Sequence, residues 1–407
     1  MKKLFYLSLP FFLYLVYGLT IGLYHLSIFR SELEREHPPG YYDYRGVAHV
    51  HTSLSTGSGN IQDIVAASKE ANLDFVVLTD LNLFPAFDLD RGYDGSVLVI
   101  NGGEYSYLDS HLMYLDAPLD TAPQTVQNLS SIGQAQIYFS DLLSQERKDA
   151  DSGVLILAHP FKARYRWSGE LPPGMDGIEV INLSSLWEHS WQESKASTIW
   201  SFLIYFFNPD LALFRLYEEP REELDLWDHV NQTRPAIGIA GADATAKSYL
   251  LGNQSIRFPS YQRLFAIASN HVLLTSELTG TAASDRQKIL HAIRNRQFYM
   301  SLDILADPKG FLAEIKGDKT SYPIGSRVKL KPGMQLRVQL PYRPEVPFET
   351  VVLKDGKRYV TSNSQETVMD LHVPGVYRVM VRIIPTLPLP DGKKWFPWIF
   401  TNAFYVK

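Results

Sequence analysis

Five short apolar runs in this chain each end on a histidine or an acid, and that recurrence limits the fold more than any other feature. His49 and His51 close "YRGVAHVHTS", Asp80 closes "LDFVVLTD", and Glu104 follows "VLVINGG". His159 closes "GVLILAHP" and Asp243 closes "AIGIAGAD". Runs of four to eight aliphatic and β-branched residues read as strands buried on both faces, which is the pattern of a parallel sheet. Polar side chains just past the carboxyl ends of such strands are where α/β barrels carry their chemistry. Imidazole and carboxylate gathered at one rim imply metal-assisted hydrolysis.

The stretches between these runs support the same architecture. Ile61, Ile64, Val65 and Ala71 recur at helical spacing after Asn60, a residue suited to an N-cap. Strand-like and helix-like runs alternate from about 46 to 303, which predicts a parallel α/β sheet or barrel. Residues 183–233 interrupt the rhythm with an aromatic-rich helical stretch broken at Asn208-Pro209. It reads either as a helical insertion packed on the barrel, or as a lid or membrane-facing hairpin carrying Trp200, Phe202, Tyr205, Phe206 and Phe207. From about 304 to 407 short alternating strands separated by Gly and Pro predict a β-sandwich.

The chain contains no cysteine, so a metal site here must be built from nitrogen and oxygen ligands. A formal net charge of -5, with no basic stripe, argues against a nucleic-acid footprint. From Leu4 to Phe29 no residue carries a formal charge, and Lys2 and Lys3 precede this run. About 20 such residues suffice to cross a bilayer. No A-x-A-like cleavage site follows, which favours an uncleaved anchor over a signal peptide. The expectation is a single-pass transmembrane helix over residues 1–30 with a cytoplasmic N-terminus. A juxtamembrane linker over 31–45 follows, punctuated by Pro38-Pro39-Gly40, and the barrel lies on the extracytoplasmic side.

Taken in order, His49-Val50-His51, Thr79-Asp80, Glu104 after "NGG", His111 in "DSHLMYLD", the "AHP" at His159, Glu179 in "GIEVIN" and Asp243 in "GIAGADA" resemble the polymerase-and-histidinol-phosphatase (PHP) metallohydrolase superfamily. The resemblance covers about 45–300. "AIRNRQFYMS" and "WIFTNAFYV" are similar to the branch with a C-terminal β domain, that of the carbaryl-hydrolase-like proteins. It implies a distorted (β/α)7 barrel with a metal cluster at its carboxyl end. His49, His51, Glu104 and Asp243 match the ligands of one metal, and Glu104, His111 and His159 those of a second. A third metal would need histidines where this chain has Gly57, Leu81 and Thr245. All the losses fall on one metal, so a dinuclear centre is expected.

Zn²⁺, Mn²⁺ and Fe²⁺ all suit such ligands. A shared carboxylate holds two cations about 3.5–4 Å apart, where water ionises near neutral pH and attacks phosphorus or carbonyl carbon. Asp80 is expected to orient that nucleophile or take its proton, with a strand-end capping acid as its alternative. Glu179 is expected to brace a ligand. Lys162 and Arg164 either grip an anionic substrate group or are solvated loop cations. His189, His229, His271, His291 and His372 are expected to pack or face solvent without a role in the site. The expected function is a membrane-anchored metal-dependent hydrolase acting on a small molecule, a phosphoester first. A carbamate, ester or amide hydrolase, or a binding protein on a degenerated scaffold, are the alternatives.

Overall fold

The computed structural model describes residues 2–29, 36–83, 92–115, 129–145, 153–249 and 255–407, with side chains from Leu9 onward. Of the linker read over 31–45, residues 31–35 lie outside the described residues. The chain opens with helix α1 (Lys2–Gly22) and continues through β1 (Tyr42–Val50), α2 (Ile61–Glu70), β2 (Phe75–Leu78), β3 (Val97–Tyr107) and β4 (Ser110–Leu115). It then runs through α3 (Ile132–Leu143), β5 (Val154–Ala158), β6 (Gly177–Asn182), α4 (Leu183–Glu193), α5 (Lys195–Ile204), α6 (Pro209–Phe214), α7 (Arg221–Thr233) and β7 (Ile237–Ala244). Strands β1 to β7 pair in sequence order, and β7 pairs back onto β1 to close a seven-stranded barrel.

Six of these strands are parallel and β4 runs against its neighbours, because β3 and β4 form a hairpin. The strand β2 (FVVL) and the strand β5 (VLILA) are buried throughout, as continuous aliphatic runs inside a barrel must be. Helix α2 begins where the sequence places it. Asn60 accepts a hydrogen bond from the Asp63 backbone and Asp63 accepts one back, and Ile61, Ile64 and Val65 face the core.

The sheet of the barrel continues into later strands. β8 (Ser269–Leu274) pairs antiparallel with the first half of β1, and β9 (Phe298–Ser301) with β8. In turn β9 pairs with the strand Phe396–Thr401, through Tyr299, Met300 and Ser301 opposite Thr401, Phe400 and Ile399. The C-terminal strands therefore continue the barrel's hydrogen-bond ladder. A separate four-stranded sheet, containing Leu312–Lys316 and Gln335–Gln339, completes the C-terminal part.

The N-terminal segment departs from the expected span. Among the described residues, no helix is long and apolar enough to cross a membrane. The uncharged run Leu4–Phe29 is divided: α1 ends at Gly22, while Leu26, Ile28 and Phe29 are buried. Ile28 donates its N–H to Leu305 and accepts one from Glu345, so the end of the run belongs to the protein core. The Phe29 ring stands 5.2 Å from that of Trp398. Asn208 secures the other part. Its amide donates to the carbonyls of Ile21 and Tyr24, and its side-chain oxygen caps α6 by accepting from Leu211. The aromatic insertion thus docks α5 and α6 against α1.

At the far end of β1 from His49 lies a buried charge cluster. His271 Nδ1 is 2.8 Å from Asp43 and its Nε2 3.3 Å from Asp303, while Tyr299 donates to Asp43 at 2.6 Å and Arg45 pairs with Asp303. His271, read as a packing residue, is here an ion-pair centre. Burial disfavours its charge, but Asp43 and Asp303 outweigh that and raise its pKa to about 10. A folded-state value above the unfolded 6.5 means the stabilisation is fully present below about pH 6.5. It is lost as pH rises through about 10.

Replacing His271 by Gln should leave the buried Asp43 carboxylate without a counter-charge and cost about 3–5 kcal/mol at pH 7. Chemical denaturation of both proteins measures this difference. The gap between wild type and variant should narrow as pH passes 10, whereas a constant gap would show that the imidazolium charge is not what stabilises.

Candidate metal centre

The site is assembled at the rim where the parallel strands end. His49 and His51 come from the end of β1, Glu104 from β3, His159 from just past β5, Glu179 from β6 and Asp243 from β7. His111 comes from the start of β4, which reaches the same rim because β4 runs the opposite way. Simple alternation along a strand does not aim the first histidine pair. The register of β1 shifts between Val47 and Val50 against both neighbours, and His49 itself has φ 63°. His159 and Asp243 also hold positive φ, at 29° and 45°. Non-glycine residues in that region cost free energy and cluster where a side chain must be re-aimed.

Two groups of donor atoms converge: His49, His51 and Asp243 form one, and His49, Glu104 and His159 the other. Within each group the donor atoms lie within 4.8 Å of one another. His49 Nε2 is 3.3 Å from Glu104 Oε1 and 3.8 Å from Asp243 Oδ1. His51 Nε2 lies 3.5 Å from both Glu104 Oε2 and Asp243 Oδ1. His159 Nε2 and His111 Nδ1 approach Glu104 Oε1 at 3.0 and 2.8 Å. Glu104 is therefore the common neighbour of all four imidazoles, and the His111 ring also stands edge-on to that of His159 at 5.0 Å. Glu104 is 2% exposed and His49 fully buried.

Glu179 stands behind this layer. One carboxylate oxygen faces His49 Nδ1 at 2.8 Å, and the other accepts the His159 backbone N–H at 2.7 Å and the Asn182 amide at 2.9 Å. A carboxylate on Nδ1 fixes the proton there and leaves the Nε2 lone pair directed into the cluster. That Nε2 is buried with no hydrogen-bond partner. Among the described residues, an orphaned imidazole nitrogen facing two carboxylates fits a divalent cation. Gly241 makes the arrangement possible, because a Cβ there would fall on Glu179 Oε1 and press on His49.

The electrostatics follow from this crowding. Burial opposes charge on His49, but Glu179, Glu104 and Asp243 overcome it and hold its pKa well above the histidine range. Burial likewise opposes the Glu104 carboxylate, and His49, His111 and His159 push it well below its usual value. Asp243 is held well below its usual value against burial, first by Lys162 and then by His49. Lys162 Nζ donates to Asp243 Oδ2 at 2.6 Å, which raises the lysine pKa against its own desolvation.

Several expected roles are redistributed. Asp80 does not face the imidazoles. Its oxygens accept from the Thr52 backbone and hydroxyl at 2.7 Å and from the Ser55 hydroxyl at 2.5 Å, so it fixes the loop after His51. Arg164 is exposed on the loop after His159, while Lys162 reaches inward. At the positions where a third metal would need histidines, a side chain on Gly57 would strike the His51 carbonyl and Tyr261. Leu81 bridges Glu104 through its backbone, and Thr245 accepts from Ser58 and Tyr261.

Asn182 and Tyr165 also enter the site, although sequence reasoning did not select them. Asn182 bridges Glu179 and Asp243, and its place at the end of "GIEVIN" follows the same strand-end rule as the ligands. The Tyr165 ring lies 4.4 Å from that of His111. No motif marks it, since it sits in the loop after "AHP".

Glu179→Gln should weaken metal binding about 10- to 100-fold by releasing His49 from its tautomer. Gly241→Ala should do the same by displacing the Glu179 carboxylate. Titration calorimetry with Zn²⁺ on refolded, chelator-treated protein checks both, and wild-type affinity in Gly241→Ala would contradict the packing argument.

No protein-family model matches this chain, and no curated protein matches it. Among solved structures, one similar chain is a two-domain protein of Bacteroides vulgatus containing a predicted PHP-like metal-dependent phosphoesterase. It is 13% identical, with a TM-score of 0.39, and the match covers 91% of this chain and 98% of that one. Another is a candidate metal-dependent phosphoesterase of Bifidobacterium adolescentis, 15% identical with a TM-score of 0.29, covering 54% of this chain and 94% of that one.

Proposed function

We propose that this protein is a metal-dependent hydrolase of small phosphoesters with two divalent cations, Zn²⁺, Mn²⁺ or Fe²⁺. The observation that carries this reading is a half-buried cation beside the ligand cluster: Lys162, paired to Asp243 at 2.6 Å. A phosphoryl group, charged already in the ground state, gains a charge-assisted hydrogen bond from a lysine there on binding, which a neutral ester or carbamate does not. His49, His51, Glu104 and Asp243 would hold one cation, and Glu104, His111 and His159 the other. When bound, such cations lower the pKa of water and neutralise charge developing on phosphorus.

The chain's own residues do the rest. Glu179 keeps the His49 proton on Nδ1, and Asn182 ties Glu179 to Asp243. Asp80 holds the loop that carries His51 through Thr52 and Ser55. Lys162 presents an ammonium at the rim, and Tyr165 covers His111 on its open side. Arg164, exposed beyond Lys162, would contact a charged leaving group.

We further propose attachment to a membrane through the N-terminal segment, with the barrel outside the cytoplasm. The support is Lys2 and Lys3 ahead of an uncharged run.

Elemental analysis of protein purified in metal-supplemented buffer should give about two metals per chain, falling in Glu104→Gln. Hydrolysis of p-nitrophenyl phosphate should be lost in that variant. Lys162→Gln should lower kcat/KM on the phosphoester about 10- to 100-fold and leave p-nitrophenyl acetate unaffected. A preference for the acetate would favour carbonyl hydrolysis, and absence of metal would favour a binding protein on this scaffold.

A further inference from the structure

The large apolar side chains left exposed among the described residues are not scattered. Most of them belong to three segments that touch one another: α1, α5 with the residues just after it, and the turn around Leu389. Tyr14 on α1 donates to the Leu203 carbonyl at 2.8 Å, and Tyr17 donates to the Leu389 carbonyl. The three therefore form one continuous surface. Phe206 is 86% exposed and Leu389 79%. A patch of this kind is an interaction site rather than ordinary surface.

The geometry points to a lipid bilayer as its occupant, so that the hydrolase body itself, and not only α1, seats against the membrane. This rests on the membrane attachment proposed above and extends it to the folded domain. Three observations favour lipid over a protein partner. First, α1 docks on α5 and α6 by a narrow stripe, through Tyr14, Tyr17, Gly18 and Ile21, while Phe11, Phe12, Leu15 and Leu19 face away from it. A partner protein covers one side of a helix, but an isotropic apolar solvent covers all of the remainder.

Second, Ile199, Phe202, Leu203 and Phe206 recur at i, i+3, i+4 and i+7 and face outward, and Lys195 occupies the same face one turn earlier. Its ammonium lies 5.7 Å above the Trp191 ring. A lysine and a tryptophan one turn above an aliphatic and aromatic face is the arrangement of a membrane–water boundary. Third, the charges just behind the surface are neutralised within the protein, because Arg215 and Asp391 are paired with each other. The site would then lie close to the bilayer. Helix α4, which leads to this face, starts at Leu183 directly after Asn182 and spans about 16 Å at 1.5 Å per residue.

The chain's lack of cysteine makes the test direct. Phe206→Cys, Leu389→Cys, Phe12→Cys and Ile137→Cys are each labelled with an environment-sensitive fluorophore in the full chain. Each is reconstituted into phosphatidylcholine vesicles whose acyl chains are brominated. Ile137 lies on α3, away from this surface, and is 68% exposed. The expected result is loss of most emission at Phe206 and Leu389, as at Phe12, with Ile137 unaffected. Quenching at Phe12 alone would overturn the inference while leaving the membrane attachment intact. Quenching at none of the four would overturn both. Labels at Phe206 and Leu389 shielded from aqueous iodide yet untouched by bromolipid would assign the face to a second copy of the chain and likewise overturn the inference.

Discussion

Glu104 sets the terms for everything around it. A carboxylate with four imidazoles around it, 2% exposed, cannot remain ionised in a protein interior unless positive charge is supplied. A proton on His49, whose pKa is held well above the usual histidine range, supplies it in part, and a divalent cation would displace it. The left-handed backbone at His49, His159 and Asp243 is a cost borne to bring their side chains to that carboxylate. Glu179 and Asn182 lock the assembly from behind, and the bare Cα of Gly241 leaves room for them. The barrel can be regarded as a frame that brings β1, β3, β5, β6 and β7 to a single acid.

Much of this was legible from sequence because it depends on strand ends. A buried parallel strand is a continuous aliphatic run, and the residue after it is forced to the rim, so His51, Glu104, His159 and Asp243 could be found by reading runs. His111 could not be found this way, since it begins a strand rather than ends one. Only the resemblance to a known family singled it out, and the reversed direction of β4 explains its place. Asp80 satisfied the strand-end rule yet faces Thr52 and Ser55, because the hydroxyls of the loop just beyond His51 reach it first.

Other features were hidden for reasons of packing. The uncharged stretch from Leu4 to Phe29 gives no sign that its last residues leave the helix, because apolarity suits a protein core as well as a bilayer. What divides it is Asn208, distant in the chain, whose amide takes the carbonyls at the end of α1. His271 likewise carried no local signal. Its partners Asp43 and Asp303 come from distant segments, and only the antiparallel pairing of β8 with β1 brings them together.

The ladder running from β1 through β8 and β9 into Phe396–Thr401 has a consequence for how the molecule can be divided. Composition suggests a cut near residue 304, but such a cut would strip one of its two partners from β9, whose four residues are all buried. The exposed edge would offer unpaired amides and carbonyls along an apolar strand, a template for pairing with other chains. The C-terminal strands therefore act as a cover for an adhesive edge.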